Sequence, residues 1–206
     1  MTQTAVKVLV FSDIHGDVRA LEKLAAAPAD IYIAAGDLSN FGRALDACAK
    51  ILAPLKEKVW MLPGNHETEE QIARLCEQFG FVNFHKRVKK IGNTRWAGLG
   101  YSNITPFNTP GEYTEEQIGE ILKGMAVDGE GELYVAAHVP PIDTKLDEVA
   151  KGKHAGSKEV RKWVEEKRPK YLFCGHIHEC EGREDRIGET KCFNVGKKGY
   201  LVEVRS

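Results

Sequence analysis

The chain has 206 residues, of which 42% are hydrophobic and 29% charged, and a formal net charge of −1. That length fits one domain over residues 1–206 with a sizeable core, and the composition excludes a disordered or fibrous chain. The balanced charge gives no global field for nucleic acid or an anionic membrane, and no apolar stretch approaches the ~20 residues that span a bilayer.

The N-terminus, "MTQTAVKVLVFSDIHG", lacks a basic segment followed by a small-residue cleavage site, which predicts no signal peptide. "AVKVLVFS" (5–12) reads as a buried strand, rich in β-branched residues. "DVRALEKLAAA" (17–27) has helical spacing, closed by Pro28. "DIYIAAG" (30–36) is a second strand, "GRALDACAKILA" (42–53) a second helix and "KVWMLPG" (58–64) a third strand. "TEEQIARLCEQFG" (68–80) has a threonine cap, an acidic first turn and a terminal glycine. This β-α-β-α-β-α order is the signature of a parallel sheet flanked by helices.

Short strands follow over 81–100, with a turn near Gly92 and Asn93, then a long loop (101–111) and a helix (113–125). "ELYVAAH" (132–138) and "KYLFCG" (170–175) are buried strands on either side of a helix over 157–167. "KCFNVG" (191–196) and "YLVEVR" (200–205) predict a closing hairpin around Gly196–Gly199. The basic run "HKRVKK" (85–90) reads as the solvated side of a hairpin. The five cysteines predict buried, reduced thiols in a cytoplasmic protein, although Cys180 and Cys192 could meet across a hairpin. The mixed pattern suggests two facing sheets with helices outside.

Polar residues sit where the apolar strands stop: Asp13 and His15, Asp37, Asn65 and His66, His138, then His176 and His178. The carboxyl ends of parallel strands share one edge, so five segments aim these side chains at one place. Each alone is explained as well by packing, a helix cap or a turn; equivalent positions on five strands are not. Carboxylate, imidazole and amide oxygen suit divalent transition metals of intermediate hardness, and the lack of cysteine argues against structural zinc. Asp13, His15, Asp37, Asn65, His138, His176 and His178 make seven ligands, which fit two metals sharing one carboxylate. Paired metals are the usual device for in-line displacement at phosphorus.

The motifs "DIHG", "GDL", "GNHE", "AHVPP" and "GHIH", in that order, resemble the calcineurin-like metallophosphoesterase superfamily. "HAGS" (154–157) and "FNVG" (193–196) look like its Icc-related, phosphodiesterase-like prokaryotic branch. The resemblance implies an α/β fold: a four-layer α/β/β/α sandwich of two mixed sheets flanked by helices. It implies that Asp13, His15 and His178 hold one metal, that Asn65, His138 and His176 hold the other, and that Asp37 bridges. A hydroxide between the cations would attack phosphorus, with His66 as the catalytic residue assisting the leaving group. Manganese, iron, zinc, nickel and cobalt all suit these ligands.

The chain departs from the protein-phosphatase branch after the bridging aspartate. Its "GDLSNFG" has Asn40 where an aspartate would orient the histidine, and Phe41 where an arginine would clamp phosphate. Both argue against a phosphoprotein and for a different substrate class; the compact chain suggests a small substrate such as a nucleotide, and the family resemblance favours a phosphodiester. A phosphomonoesterase of the same site, a mononuclear hydrolase of another bond and a non-catalytic scaffold are the alternatives. Asn40, Asn103 and His154 are candidate substrate contacts, with Phe107 and Ser157 beside them and Arg183 and Asn194 after them. No membrane partner is expected, a nucleic-acid partner is disfavoured, and no oligomeric state is fixed.

Overall fold

The computed structural model describes residues 5–205, so the leader-free reading of residues 1–4 and the outer limits of the 1–206 domain lie outside the described residues. The first half alternates strand and helix: β1 (Ala5–Phe11), α1 (Val18–Ala25), β2 (Ile31–Ala35), α2 (Leu45–Leu52), β3 (Val59–Leu62), α3 (Glu69–Phe79) and β4 (Val82–Asn83). Local chemistry sets the helix starts. Asp17 caps α1 by accepting the Ala20 N–H, and Thr68 and Gln71 form a reciprocal capping box on α3, which ends at left-handed Gly80.

The second half runs β5 (Arg87–Ile91), β6 (Thr94–Leu99), β7 (Ser102–Asn103), β8 (Glu112–Tyr113), α4 (Glu115–Gly124), β9 (Glu132–Ala137), β10 (Glu148–Ala150), β11 (Lys153–His154) and α5 (Lys158–Lys167). It closes with β12 (Tyr171–Cys174), β13 (Glu184–Ile187), β14 (Thr190–Asn194) and β15 (Tyr200–Arg205). One sheet has the order β15-β1-β2-β3-β4, the other β13-β14-β12-β9-β6-β5. The pairings β1-β2-β3-β4 and β14-β12-β9-β6 are parallel; β15, β13 and β5 run antiparallel at the edges.

Residues alternate across β1 with period two. Val8 and Val10 face the other sheet, where Trp96, Tyr134 and Phe173 meet them, while Leu9 and Phe11 face Leu21, Leu52 and Ile72 under α1–α3. On the far side, Ile118 of α4 and Trp163 of α5 cover Val135 and Leu172. The result is the expected α/β/β/α sandwich, two mixed sheets between helical layers. None of the described helices is long and apolar enough to cross a membrane.

One expectation is overturned, and one holds only in part. The segments at 191–196 and 200–205 are not a hairpin: β14 lies beside β12 in the second sheet, and β15 pairs with β1 in the first. The turn over Gly196–Lys198 carries the chain from one sheet to the other. The hairpin partner of β14 is β13, whose charged "EDRI" hides it as an edge strand. The basic run does open a hairpin, β5–β6, with Lys86, Arg87 and Lys90 exposed, but His85 is buried and Lys89 lies over the Trp60 ring. As expected, all five cysteines are buried and free; Cys180 and Cys192 form no bridge, the first sulfur facing the Glu148 carbonyl and the second the Thr190 carbonyl.

Candidate metal centre

The five strand ends meet at the rim where the two sheets abut. Backbone bonds stitch them: Asp13 N–H to the Gly36 carbonyl (3.1 Å), and Gly175 N–H to the His138 carbonyl (2.9 Å). The His176 N–H crosses between sheets to the Asp13 carboxylate at 3.0 Å. Each chain turns sharply as it leaves its strand. Asp13, His15, Asp37 and His176 all hold positive φ, between 48° and 69°. Such strain in non-glycine residues persists only where the surroundings over-determine it, and it clusters at functional sites.

Three groups of potential ligand atoms result, each mutually within 4.8 Å: Asp13, His15 and His178; His15, Asp37 and His66; and Asp37, His138 and His176. Asn65 joins the last, its Oδ1 3.0 Å from His138 Nε2 and 2.8 Å from His176 Nδ1. Asp37 lies between the two ends, its Oδ2 3.5 Å from His15 Nε2 and 3.3 Å from His138 Nε2. All seven expected ligand positions are therefore brought together, and His66 stands beside them.

The donor set fits divalent cations. His15 Nδ1 donates to the Asn40 side-chain oxygen at 2.8 Å, and His138 Nδ1 donates to the Ala35 carbonyl at 2.9 Å. Each of these bonds turns Nε2 inward, the usual outer arrangement of a ligating histidine, and His138, whose Nε2 here donates to Asn65 Oδ1, would give up that proton to a cation. His15 and His178 turn their Nε2 atoms to within 2.9 Å of each other. Two lone pairs at that range need a proton or a cation between them. The site is graded in depth: Asp37 and His138 are fully buried, whereas the His178 side chain is 57% exposed.

Burial opposes ionisation of Asp37, but the charge of His138 outweighs it and holds the carboxyl well below the usual range. For His138 burial lowers the pKa, and Asp37 overrides this to raise it to about 9. Asp13 is also held low, its burial outweighed by the His178 hydrogen bond and the His138 charge. Burial pushes His176 down to about 4, leaving its imidazole neutral and available as a ligand. Behind the ligands lies Glu67, whose place in "GNHE" is its only sequence signal. It is fully buried and accepts from Asp37 N–H (3.0 Å), Ser39 N–H (2.8 Å), Ser39 Oγ (2.7 Å) and Gly64 N–H (2.9 Å). Burial and the Asp37 charge raise its carboxyl to about 7.

The remaining candidates divide. Asn40 serves His15 rather than His66: it accepts from Nδ1 and donates to the His15 carbonyl at 3.0 Å. His66 instead accepts the Phe41 N–H on Nδ1 (3.3 Å), with its ring edge-on to Phe41. Asn103 does not line the cavities at the centre; it donates to the Ala155 carbonyl at 3.2 Å and staples two loops. His154 pairs with the buried Asp147 at 2.8 Å, Ser157 caps α5 and Arg183 faces Glu148. Asn194 holds the "GHIH" turn, donating to the Gly175 and Ile177 carbonyls.

Two recesses open onto the centre. One, about 480 Å³, is lined by Asp13, His15, Asn40, His66, Asn194 and Lys197. The other, about 420 Å³, runs from Asp37, Asn65 and His66 to Ile104, Phe107 and Val149. Thr109, which sequence did not single out, accepts from Asn65 Nδ2 at 3.2 Å and ties the second recess to the ligands.

The profile of a family described as calcineurin-like phosphoesterase matches residues 6–180. An uncharacterized protein of Methanocaldococcus jannaschii is 36% identical over 203 residues, 96% of this chain and 91% of that protein. A probable cyclic nucleotide phosphodiesterase of Rhodopseudomonas palustris is 27% identical over 201 residues, 84% of this chain and 72% of its own. Among solved structures, a Thermus thermophilus protein superposes with a TM-score of 0.69 at 18% identity, covering 98% of this chain and 100% of that one. The phosphopantetheinyl hydrolase of Mycobacterium tuberculosis does so with a TM-score of 0.64 at 16% identity, covering 95% and 90%. At these identities the structural likeness speaks for the fold alone.

Proposed function

The chain belongs to the calcineurin-like phosphoesterase family, and from that premise we propose that it is a dinuclear-metal phosphodiesterase acting on a small phosphodiester such as a nucleotide. The observation that carries this reading is the position of Asp37 between two ligand groups, its Oδ2 3.5 Å from His15 Nε2 in one and 3.3 Å from His138 Nε2 in the other. Asp13, His15 and His178 would hold one ion; Asn65, His138 and His176 the other. The bound cations supply Lewis acidity, an activated water and neutralisation of phosphoryl charge. His66 would assist the leaving group. Because its Nδ1 accepts the Phe41 amide, the neutral ring carries its proton on Nε2, which lies 4.0 Å from Asp37 Oδ2 at the mouth of both recesses. From there Nε2–H would donate a hydrogen bond to the departing ester oxygen and stabilise the charge developing on it, the proton itself coming from solvent.

Preference for a diester is supported by Phe41, which stands where a phosphate-clamping arginine would, and by the cyclic nucleotide phosphodiesterase name of the Rhodopseudomonas relative. Lys197 in the wall of the polar recess favours a second reading, a monoester whose extra negative charge it would meet. One assay separates them. The metal-stripped protein, reloaded with manganese, is compared on bis-p-nitrophenyl phosphate and p-nitrophenyl phosphate, with His66→Ala alongside. Metal-dependent diester turnover that falls roughly 10²–10⁴-fold in the variant is expected. Faster monoester turnover would replace the substrate class with the second reading.

A further inference from the structure

Among the described residues, six large hydrophobic side chains are exposed: Val18, Phe41, Ile104, Phe107, Val149 and Leu201. Single exposed apolar residues are ordinary, but here three line one recess of the candidate centre and a fourth, Phe41, rests on His66. Phe107 is 76% exposed and Ile104 61%, more than any other residue in that group. The loop that carries them is held rigidly. Glu112 accepts from the Thr105 hydroxyl (2.5 Å), the Thr109 hydroxyl (2.6 Å) and the Thr109 N–H (2.9 Å). The Phe107 N–H donates to Thr105 Oγ1 at 3.1 Å, and Thr109 is bonded in turn to Asn65. The backbone that carries Phe107 is therefore tied to the ligand Asn65, and the ring is turned to solvent rather than folded onto the core.

We infer that the recess bounded by Ile104, Phe107 and Val149 is a specificity lobe for a flat aromatic arm of the substrate, a nucleobase, stacked on Phe107. This rests on the phosphodiesterase reading and names what that reading leaves open. The recess reaches from Asp37, Asn65 and His66 to Phe107 without interruption, so a phosphate at the centre and a ring at Phe107 occupy one continuous space of about 420 Å³. Aromatic side chains bind bases through their faces without needing a particular base edge. Ile104 and Val149 flank the ring with aliphatic surface. Beyond the ligand groups the one charged side chain in the wall is the carboxylate of Glu179, which disfavours an anionic arm, and Lys197 lines the other recess.

The test uses manganese-loaded protein and p-nitrophenyl phosphodiesters whose second arm is methyl, hexyl or 5′-thymidyl, so that the leaving group stays constant. The thymidyl ester should exceed the methyl ester in kcat/KM by roughly tenfold or more. Phe107→Ala should pull that ratio toward one, and Phe107→Tyr should restore it. In parallel, calorimetry compares thymidine 5′-monophosphate with ribose 5-phosphate. The base should tighten binding by a similar factor in the wild type and not in Phe107→Ala. Equal rates and affinities with and without the base, or a hexyl ester that outruns the thymidyl ester, would overturn the lobe. So would a concentration-dependent dimer lost in Phe107→Ala with substrate ratios unchanged, since the patch would then be a contact between copies. Failure to turn over any diester would strike the phosphodiesterase reading instead, and the two monophosphates would still decide the lobe.

Discussion

Asp37 shows how much one residue is asked to do here. It holds a left-handed backbone, accepts the His66 N–H at 3.0 Å and faces imidazoles from both ligand groups. Its own N–H is fixed by Glu67, so the buried glutamate positions the shared carboxylate through the backbone. A second buried titratable residue lies outside the centre. His85 accepts the Gly100 N–H on Nδ1 at 2.8 Å and meets the Tyr113 hydroxyl at 3.2 Å, anchoring both ends of the loop that carries Phe107. Burial lowers its pKa from 6.5 to about 4. The fold therefore favours the neutral ring, and the stabilisation is present above pH 6.5 and lost as pH falls toward 4. A shift of that size corresponds to roughly 3 kcal/mol at most. In denaturant titrations of metal-free protein, the stability gap between wild type and His85→Gln should narrow as pH drops through this window. A gap that stays constant would mean that His85 does not titrate as its burial dictates.

At the scale of elements, the ligands depend on how closely strands can end against one another. Gly175 follows β12 and packs directly on the Asp13 carboxylate and the Ser12 hydroxyl; Gly64 follows β3 and packs on Asp37. No Cβ fits at either place. Gly175→Ala should displace Asp13 and weaken metal binding by about 10–100-fold, the usual effect of disturbing a supporting shell. Competition against a chelating dye would measure it, and unchanged affinity would mean that the turn yields without moving the carboxylate. The same strand ends explain what could be read in advance. β1, β2, β3, β9 and β12 are near-continuous apolar runs, and each stops at residues that have no place in a core. β13 is charged at three of its four residues and could not be seen. The β14–β15 hairpin misled because two strands around glycines look alike whether they pair or cross between sheets. Asn103 and His154 were misplaced for a different reason. Ala155 lies 52 residues from Asn103, and Asp147 meets His154 across the β10–β11 hairpin, whose strands are too short to read in the sequence.

Across the whole molecule, three apolar layers hold five strand ends at one rim: beneath α1–α3, between the sheets, and beneath α4–α5. The core is ordinary, and the unusual features gather at that rim: the strained aspartates and histidines, a buried glutamate and most of the exposed aromatic and aliphatic surface. The site was the most legible part of the sequence because its chemistry cannot be built from core residues. Its second recess was not, since a loop held by Glu112 carries no motif. The central claim is that these residues hold two ions and share Asp37. The direct measurement is a titration of metal-stripped protein with manganese, following bound metal per chain and diester turnover together, on wild type and Asp37→Ala. Two equivalents per wild-type chain, with turnover rising only as the second binds and both lost in the variant, is the predicted result. Saturation at one equivalent with full turnover, or two equivalents retained without Asp37, would contradict it.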